Sequence, residues 1–586
     1  MKKYRYQPRI IQIPENQCRE SAHDDGPRDK KIELSMNPIV QRELIGILRT
    51  RRALTVQVCL LAVLSLLVLL SWPMDAKVDL EAAASTKVLR VFGYGLMVGL
   101  ILLAPAFPAV SIVSERKEGT LALLLNSPMS SWSIVIGKLA AAIGFVFLLL
   151  ITSLPPAVAC FAMGGIDLKG QLLPLYGVLA LLAIQYATLG LLVSSYALSA
   201  ESALRVTYGL ILLMAVITLG PNQLLGEMYS SQLAHWILCI SPIPAMTQLL
   251  DQGAIWGRGT IIAADLANKY TILAGASSVI FIIWTAARLN LRLLDRNRAT
   301  GKVTDERSSS ARAYRRVMFL WFFDPNRRSG LIGSWTNPIM VKEFRTRRFG
   351  RSHWMMRLIF GCVVISLAIT LAAASGTETR GIGTLGGIMV LLQGALIIVV
   401  TPSLAAGLIS AEREGGGWQL LQMTPLSSTR IVTGKLLSVL WTLGLVLLAT
   451  VPGYVVLIII DRGQTGTVVQ VLLTLVLMAV FAVLLSALVS SVFKKTASAT
   501  ATAYGVLVVW CIGTMLIWLG RDIMFPHKTV EAVLRFNPLA AALSLIRAPD
   551  FVQYDLVPAT WWIISSVTGT CLCLLIFQTW RLTRPD

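Results

Sequence analysis

Charged side chains are scarce in this sequence. Asp, Glu, Lys and Arg make up 14% of its 586 residues, and 55% are hydrophobic. A soluble globular chain carries about 25% charged residues. The shortage leaves long stretches with no ionised group, which excludes an ordinary water-soluble fold. The eight cysteines (Cys18, Cys59, Cys160, Cys239, Cys362, Cys511, Cys571 and Cys573) fall mostly within apolar runs and form no C-x-x-C pair. They read as small core hydrophobes and argue against a disulfide framework or a zinc site. The four histidines (His23, His235, His353 and His527) are far apart in sequence, so no metal is expected. A nucleotide loop G-x-x-x-x-G-K-[ST] is missing too: Gly137-Lys138, Gly301-Lys302 and Gly434-Lys435 lack both the upstream glycine and the hydroxyl. The string Gly381-Ile382-Gly383-Thr384-Leu385-Gly386 fits G-x-G-x-x-G, but it enters an apolar run with no preceding strand and is discarded as a dinucleotide site. Catalytic, cofactor and metal sites are therefore not expected on this chain. The segment 1–36 has no apolar core of the kind a cleaved leader needs and reads as a polar, disordered tail.

What the chain has is apolar runs of bilayer length, about 20 residues each. In the first half they are Ala53–Trp72, Val91–Val113, Ile134–Met163, Leu172–Tyr196, Ala203–Gly220 and Tyr270–Leu289. In the second half they are Met356–Ala374, Thr384–Ser410, Ile431–Ile460, Val468–Phe493, Ala499–Leu519 and Thr560–Trp580. The expected fold is all-α and membrane-embedded, with about twelve spans. Pro105, Pro108, Pro155, Pro156, Pro402 and Pro452 lie within spans and should kink them.

The formal net charge is +21. Its Lys and Arg cluster before the first span, in Arg288–Arg351 between the sixth and seventh, and after the last. The positive-inside rule then puts both termini and the central linker in the cytoplasm. The basic stretches lack regularly spaced stacking aromatics, so a nucleic-acid partner is not expected. The segments Pro221–Lys269 and Gly520–Ala559, one per half on the other side, are too apolar for plain linkers and should re-enter or lie at the interface.

A repeat organises the chain. Asn37-Pro38-Ile39 recurs as Asn337-Pro338-Ile339, and Glu43 recurs as Glu343, 300 residues on. At an offset of 297, Pro105 matches Pro402, Glu115-Arg116 matches Glu412-Arg413, Pro128 matches Pro425, and Gly137-Lys138 matches Gly434-Lys435. At 296, Val193-Ser194-Ser195 matches Val489-Ser490-Ser491, Tyr208-Gly209 matches Tyr504-Gly505, and Pro242 matches Pro538. Polar and proline landmarks that hold frame across a whole half are not chance. The expected organisation is a tail (1–36), a first six-helix unit (37–289), a basic linker (290–336) and a second unit (337–586). An even number of spans per unit makes the repeats parallel.

Two charged loops stand out. The first runs Ser114-Glu115-Arg116-Lys117-Glu118-Gly119-Thr120-Leu121 and ends at Pro128; the second runs Ala411-Glu412-Arg413-Glu414-Gly415-Gly416-Gly417-Trp418 and ends at Pro425. One such loop alone would read as solvated charge at a membrane boundary. Two in frame suggest a surface that something cytoplasmic contacts twice. The pattern E-R-x-x-G-T-L, then S/T-P, then G-K resembles the first cytoplasmic loop of type-2 ATP-binding-cassette (ABC) permeases. The segment N-P-I-x-x-x-E with clustered arginines before a first span is similar to the interfacial helix of that family. The resemblance implies a coupling helix that docks on an ATPase subunit. It assigns that role to Glu115, Arg116, Glu118, Gly119, Thr120 and Pro128, and to Glu412, Arg413, Glu414 and Pro425. It assigns interfacial helices to Asn37, Pro38 and Glu43, and to Asn337, Pro338 and Glu343. Three consecutive glycines cost a helix about 1 kcal/mol each, so the second coupling element should be weaker or differently shaped.

Within the spans the polar inventory is small: Gln185, Tyr186, Tyr208, Gln393 and Tyr504. Each reads as a helix-packing group. An ion-coupled carrier should retain membrane charge, which disfavours a twelve-span secondary transporter; a scaffold that transports nothing is a third reading. The resemblance implies the membrane subunit of an ABC exporter in a bacterial cytoplasmic membrane. Its partners would be the lipid bilayer and two copies of a cytoplasmic ATPase, which would bind the ATP and magnesium. The substrate is not legible.

Overall fold

The computed structural model describes residues 38–49, 51–70, 83–127, 129–163, 166–225, 236–251, 266–292, 337–346, 360–361, 363, 382–424, 426–460, 462–521 and 525–583. Within these residues the protein is an all-α membrane protein. Ten helical segments are long and apolar enough to cross a bilayer, and an eleventh, Ala53–Leu69, is apolar but shorter. The span expected at Met356–Ala374 lies almost wholly outside the described residues.

The first half begins with α1 (Pro38–Leu48) and α2 (Arg51–Leu70). The second span is α3 (Ala83–Leu103) continued by α4 (Ala106–Glu118), and the short α5 (Thr120–Leu125) follows. The third span is α6 (Ser131–Thr152) continued by α7 (Leu154–Ala162). Then come α8 (Leu173–Tyr196), α9 (Ala200–Leu225), α10 (Pro242–Asp251) and α11 (Leu266–Arg292).

The second half repeats the order. It has α12 (Pro338–Thr346), α13 (Ile382–Ala405), α14 (Ser410–Glu414) and α15 (Gly417–Gln422). Next are α16 (Ser428–Leu448), α17 (Val451–Ile460), α18 (Thr465–Val492), and α19 (Thr496–Val508), which passes through one π turn into α20 (Thr514–Leu519). The half ends with α21 (His527–Leu534), α22 (Pro538–Leu545) and α23 (Ala559–Thr583).

Helix breaks fall at or near the span prolines. The second span breaks at Ala104–Pro105 in one half, whereas in the other Pro402 lies inside α13 and the break falls at 406–409. The third span breaks at Ser153, before Pro155-Pro156, and at Ala449–Thr450, before Pro452. A break frees backbone N–H groups, and inside a membrane each must find a partner. Ser194 on α8 accepts, through Oγ, from the backbone N–H of Ile112 and Val113 inside α4, at 3.1 and 3.3 Å. Ser490 on α18 does the same for Ile409 and Ser410, at 3.0 Å each. The repeated V-S-S triplet therefore stitches the fourth span to the kinked second span in both halves.

The long connections fold back on their own halves. Helix α10 packs against α3, α8 and α11, and α22 packs against α13 and α18. Residues Pro538–Leu543 of α22 are all buried, and Asn537 caps the helix while donating to Cys511 O at 2.7 Å. Apolar cores fill each half; that of the first takes in Tyr504 of the second.

Between the halves, α9 packs along α13 and against α19, and α20 touches α3. The rings of Tyr208 and Tyr504 meet across this seam with centroids 4.6 Å apart. Each hydroxyl donates to a carbonyl of its own half, Leu102 O at 2.5 Å and Val399 O at 2.6 Å. Residues equivalent under the repeat thus touch one another, which places them on the local two-fold axis.

One close approach of two helices in the first half is testable. A Cβ on Gly190 of α8 would lie 2.9 Å from Pro105 O and 3.3 Å from Ala109 N, both backbone atoms that cannot swing away. Gly190→Val should destabilise the chain by about 1–3 kcal/mol. Gly177→Val on the same helix, where nothing lies within 4 Å, should be neutral. Thermal unfolding of the two purified variants in one detergent checks the contrast.

Candidate functional site

The repeat landmarks converge at one end of the bundle. In the first half Lys138, about two turns into α6, is buried with its side chain 3% exposed. Its ammonium lies 2.9 Å from Glu43 Oε1 on α1 and 3.0 Å from Glu115 Oε1 on α4. Arg42 closes the cluster, at 2.9 Å from Glu43 and 2.6 Å from Glu115. In the second half Lys435 on α16 is 2% exposed and lies 2.7 Å from Glu343 on α12 and 3.3 Å from Glu412 on α14. Lys342 takes the place of Arg42, at 2.8 Å from Glu412.

Each cluster holds two cations and two carboxylates, so it is neutral as a unit. That balance is what allows ionised groups to be buried there. Burial pushes the Glu43 carboxyl up, but the charge of Lys138 and hydrogen bonds from Lys138 and Arg42 outweigh it and hold the pKa below 4.5. A depressed carboxylate stabilises the fold above its unfolded pKa. The contribution fades only as pH falls below 4.5 through the folded value.

The clusters explain why the sequence keeps a lysine after a glycine in a third span, and a glutamate five residues after N-P. Asn337 adds a further tie. Its side chain accepts from Ile339 N at 3.0 Å, capping α12, and donates to Arg430 O at 2.8 Å on α16. Its repeat partner Asn37 lies outside the described residues; Pro38 and Pro338 open α1 and α12.

The loop arginines also point inward. Arg116 donates to Ser195 O and Ala197 O, at 2.9 and 2.8 Å, covering carbonyls at the end of α8. Arg413 donates to Ser491 O at 3.0 Å at the end of α18. Glu115, 8% exposed, and Arg116 are thus committed inside the protein, as is Arg413, while Glu412 is half-buried between Lys342 and Lys435.

After each cluster the chain turns on a glycine with positive φ: Gly119 at 77° and Gly416 at 73°. Both residues stand 297 apart, in a left-handed conformation that favours glycine. Each turn launches a six-residue helix, α5 and α15. The second element, expected to be weaker or differently shaped, has a helix of the same length as the first. Of its three glycines, Gly415 caps α14 and Gly416 makes the turn, so only Gly417 lies within a helix. Anchors differ instead. Leu121 of α5 packs with Ala286 and Leu289 of α11. Trp418 Nε1 and Gln422 Nε2 of α15 donate to Leu582 O at the end of α23, at 3.2 and 2.7 Å. The next helices start alike: the Ser130 and Ser427 hydroxyls accept from Ser133 N and Arg430 N.

What faces out is an apolar knob on a polar rim. Leu123 is 73% exposed and its repeat partner Leu420 is 69% exposed, with Met423 at 82% beside it. Glu118, Gly119 and Thr120 are exposed in the first loop, as are Glu414, Gly415 and Gly416 in the second. Lys117 and Glu414 join the two loops by an ion pair of 2.5 Å. Pro128 and Pro425, expected to end the loops, lie outside the described residues.

Of the expected residues the structure therefore gathers Glu43 with Glu115 and Glu343 with Glu412, and leaves Glu118, Gly119, Thr120 and Glu414 on the surface. Sequence reading missed Lys138, Lys435, Arg42 and Lys342 as members of the site, although the in-frame Gly-Lys pairs were the signal for the first two. It also missed Leu123, Leu420 and Met423, which an apolar helix hides among neighbours of the same kind, and Arg205, which lies inside the run Ala203–Gly220.

Residues 37–291 match the family described as ABC-2 family transporter protein. No curated protein matches the chain.

Removing the centre of a cluster should be costly. Lys435→Met strands Glu343 in an apolar surround and should destabilise the protein by about 3–5 kcal/mol. Adding Glu343→Leu should recover much of that loss, because the stranded charge goes with it. Denaturant midpoints of the single and double variants in detergent provide the comparison.

Proposed function

We propose that this chain, an ABC-2 type permease by the family of its first half, is a complete two-unit membrane subunit of an exporter driven by a separate ATPase. The observation that carries the reading is the pair of short helices α5 and α15. They have the same length, follow the same glycine turn, and each presents an exposed leucine at the same repeat position. Each is also fixed at its base by a buried ionic cluster, so a push on the helix is transmitted to α1 and α6, or to α12 and α16, as well as to the second span.

One such contact per unit suits two copies of a symmetric ATPase. Closure of the ATPase pair would move the two bases relative to each other, and with them the α9–α13 seam between the units. ATP and magnesium would be held by the partner, whereas this chain supplies the docking surface, the linkage and the path. The basic segments support a reading in which the docking end, both termini and the linker 290–336 face the cytoplasm, by the positive-inside rule, and the family resemblance suggests a bacterial membrane.

The docking knobs are the discriminating target. Leu123→Asp together with Leu420→Asp should abolish co-purification of the ATPase and leave thermal stability unchanged, since both side chains are exposed. A central apolar contact is worth about 2 kcal/mol or more, roughly thirtyfold in affinity, at each site. Native mass spectrometry of the wild-type complex should give one copy of this chain with two ATPase subunits. Two copies of the chain in the smallest active complex would defeat the proposal, as would undiminished capture of the ATPase by the double variant.

A further inference from the structure

The seam between the halves is alike in shape on its two sides and unlike in chemistry. Lys117 and Glu414 are equivalent under the 297-residue repeat, and they pair with each other at 2.5 Å. A residue that meets its own equivalent lies on the two-fold axis. In a pair of first halves that contact would be lysine on lysine; in a pair of second halves it would be glutamate on glutamate.

Deeper in the seam the difference grows. Arg205 of α9 donates from Nε to Ser403 Oγ at 2.7 Å and from Nη2 to Ser403 O at 2.8 Å. Ser403 is buried, and so is the whole of residues 401–410 around it. One turn before Arg205, the carboxylate of Glu201 fills the space where a side chain on Gly407 would stand. The repeat partners of these four residues cannot make the same contacts. Arg205 and Glu201 correspond to Ala501 and Ala497 at the 296 offset. Ser403 and Gly407 correspond to Ala106 and Val110 at the 297 offset. A first half facing a copy of itself would set Arg205 against Ala106, without the hydroxyl, and Glu201 against Val110, where the branched side chain occupies the room the carboxylate needs.

We propose that the two halves are specific for each other: the seam surface of the first half fits the second half and rejects another copy of itself. The charge pair on the axis and the arginine latch beside it both act in the same direction, by attraction in the mixed pair and by repulsion, crowding or lost hydrogen bonds in the like pairs. The inference rests on reading the chain as two paired units. It does not depend on an ATPase or a transported substrate, so failure of the coupling reading would leave it standing.

The test uses the full chain with a protease site introduced into the linker 303–326 and a tag at its C-terminus. After purification and cleavage in detergent, release of the untagged first half is followed over time. Lys117→Glu and Glu414→Lys should each speed release by about two- to fivefold, the scale of an exposed ion pair. The combined exchange K117E/E414K should return the rate to that of the wild type. Arg205→Ala should speed release by about tenfold or more, because hydrogen bonds to a charged group in a buried seam are lost; Ala501→Ser, on the side without the latch, should not. Cut chains carrying two different tags on the first half are then mixed, and no first half should capture another. Unchanged release in the single charge reversals and in Arg205→Ala would overturn the proposal. So would a double exchange no better than the singles, or capture of first half by first half.

Discussion

Everything at the charged end of this protein hangs on one constraint: a lysine ammonium withdrawn from water must be neutralised where it stands. Lys138 and Lys435 are about as buried as core leucines, and an unpaired cation in such a place costs several kcal/mol. Their partners come from distant parts of the chain, 95 residues upstream for Glu43 and 92 upstream for Glu343. Satisfying the lysine therefore fixes the position of α1 or α12 against the third span. The second carboxylate, from Glu115 or Glu412, pins the end of the second span to the same point. Three elements that could otherwise slide in the plane of a bilayer are held at a vertex. Directional ionic bonds suit this better than apolar packing, because lipid offers an apolar helix face nearly as good a surround as protein does.

The vertex also accounts for the kinked second span. A straight helix would carry the loop away from the fourth span; the break after Pro105 or Pro402 bends it back. The hydroxyl of Ser490 accepts from the N–H groups of Ile409 and Ser410 at the break in the second half, and that of Ser194 from the equivalent Ile112 and Val113 within α4. Arg116 and Arg413 do the reverse at the end of the fourth span, donating to carbonyls that a helix terminus leaves open. The proline, the serine pair and the E-R dipeptide are thus parts of one hydrogen-bond account.

This is also where sequence stopped being informative. The spans were legible because a bilayer demands apolar length, and the offsets were legible because polar landmarks stand out in an apolar chain. The helix bounds follow both closely; α8 and the run Leu172–Tyr196 differ by a single residue at the start. The direction of the loop charges was not legible. Glu115 and Glu118 look alike three residues apart, yet one is buried on a lysine and the other is exposed. Both stand on α4, and only the packing that brings Lys138 and Arg42 to Glu115 separates them. Leu123 and Leu420 were invisible for the opposite reason: exposure of a leucine has no signature when half the chain is apolar. Arg205 was readable, since it interrupts an apolar run, but the meaning of its charge depended on Ser403, which sequence gives no reason to place opposite it.

The two halves show how much chemistry can change under a fixed geometry. The short helices α5 and α15 keep length, turn and exposed leucine, while one is anchored by Leu121 in an apolar cluster and the other by an indole and an amide on the Leu582 carbonyl. The anchors of α15 offset what a glycine at its first position costs, so shape survives the loss of intrinsic helix propensity. On the two-fold axis the freedom is greater. A homodimer must place identical residues face to face there, which permits the tyrosine pair but penalises a pair of like charges. Two halves of unlike sequence are free of that restriction, since the residues on the two sides need not be the same. Lys117 opposite Glu414 is an arrangement open only to unlike units, and Arg205 on Ser403 belongs to one side of the axis alone. The asymmetry is one that two halves of unlike sequence can hold, and what they keep in common includes the contact of Tyr208 with Tyr504 and the two buried lysine clusters.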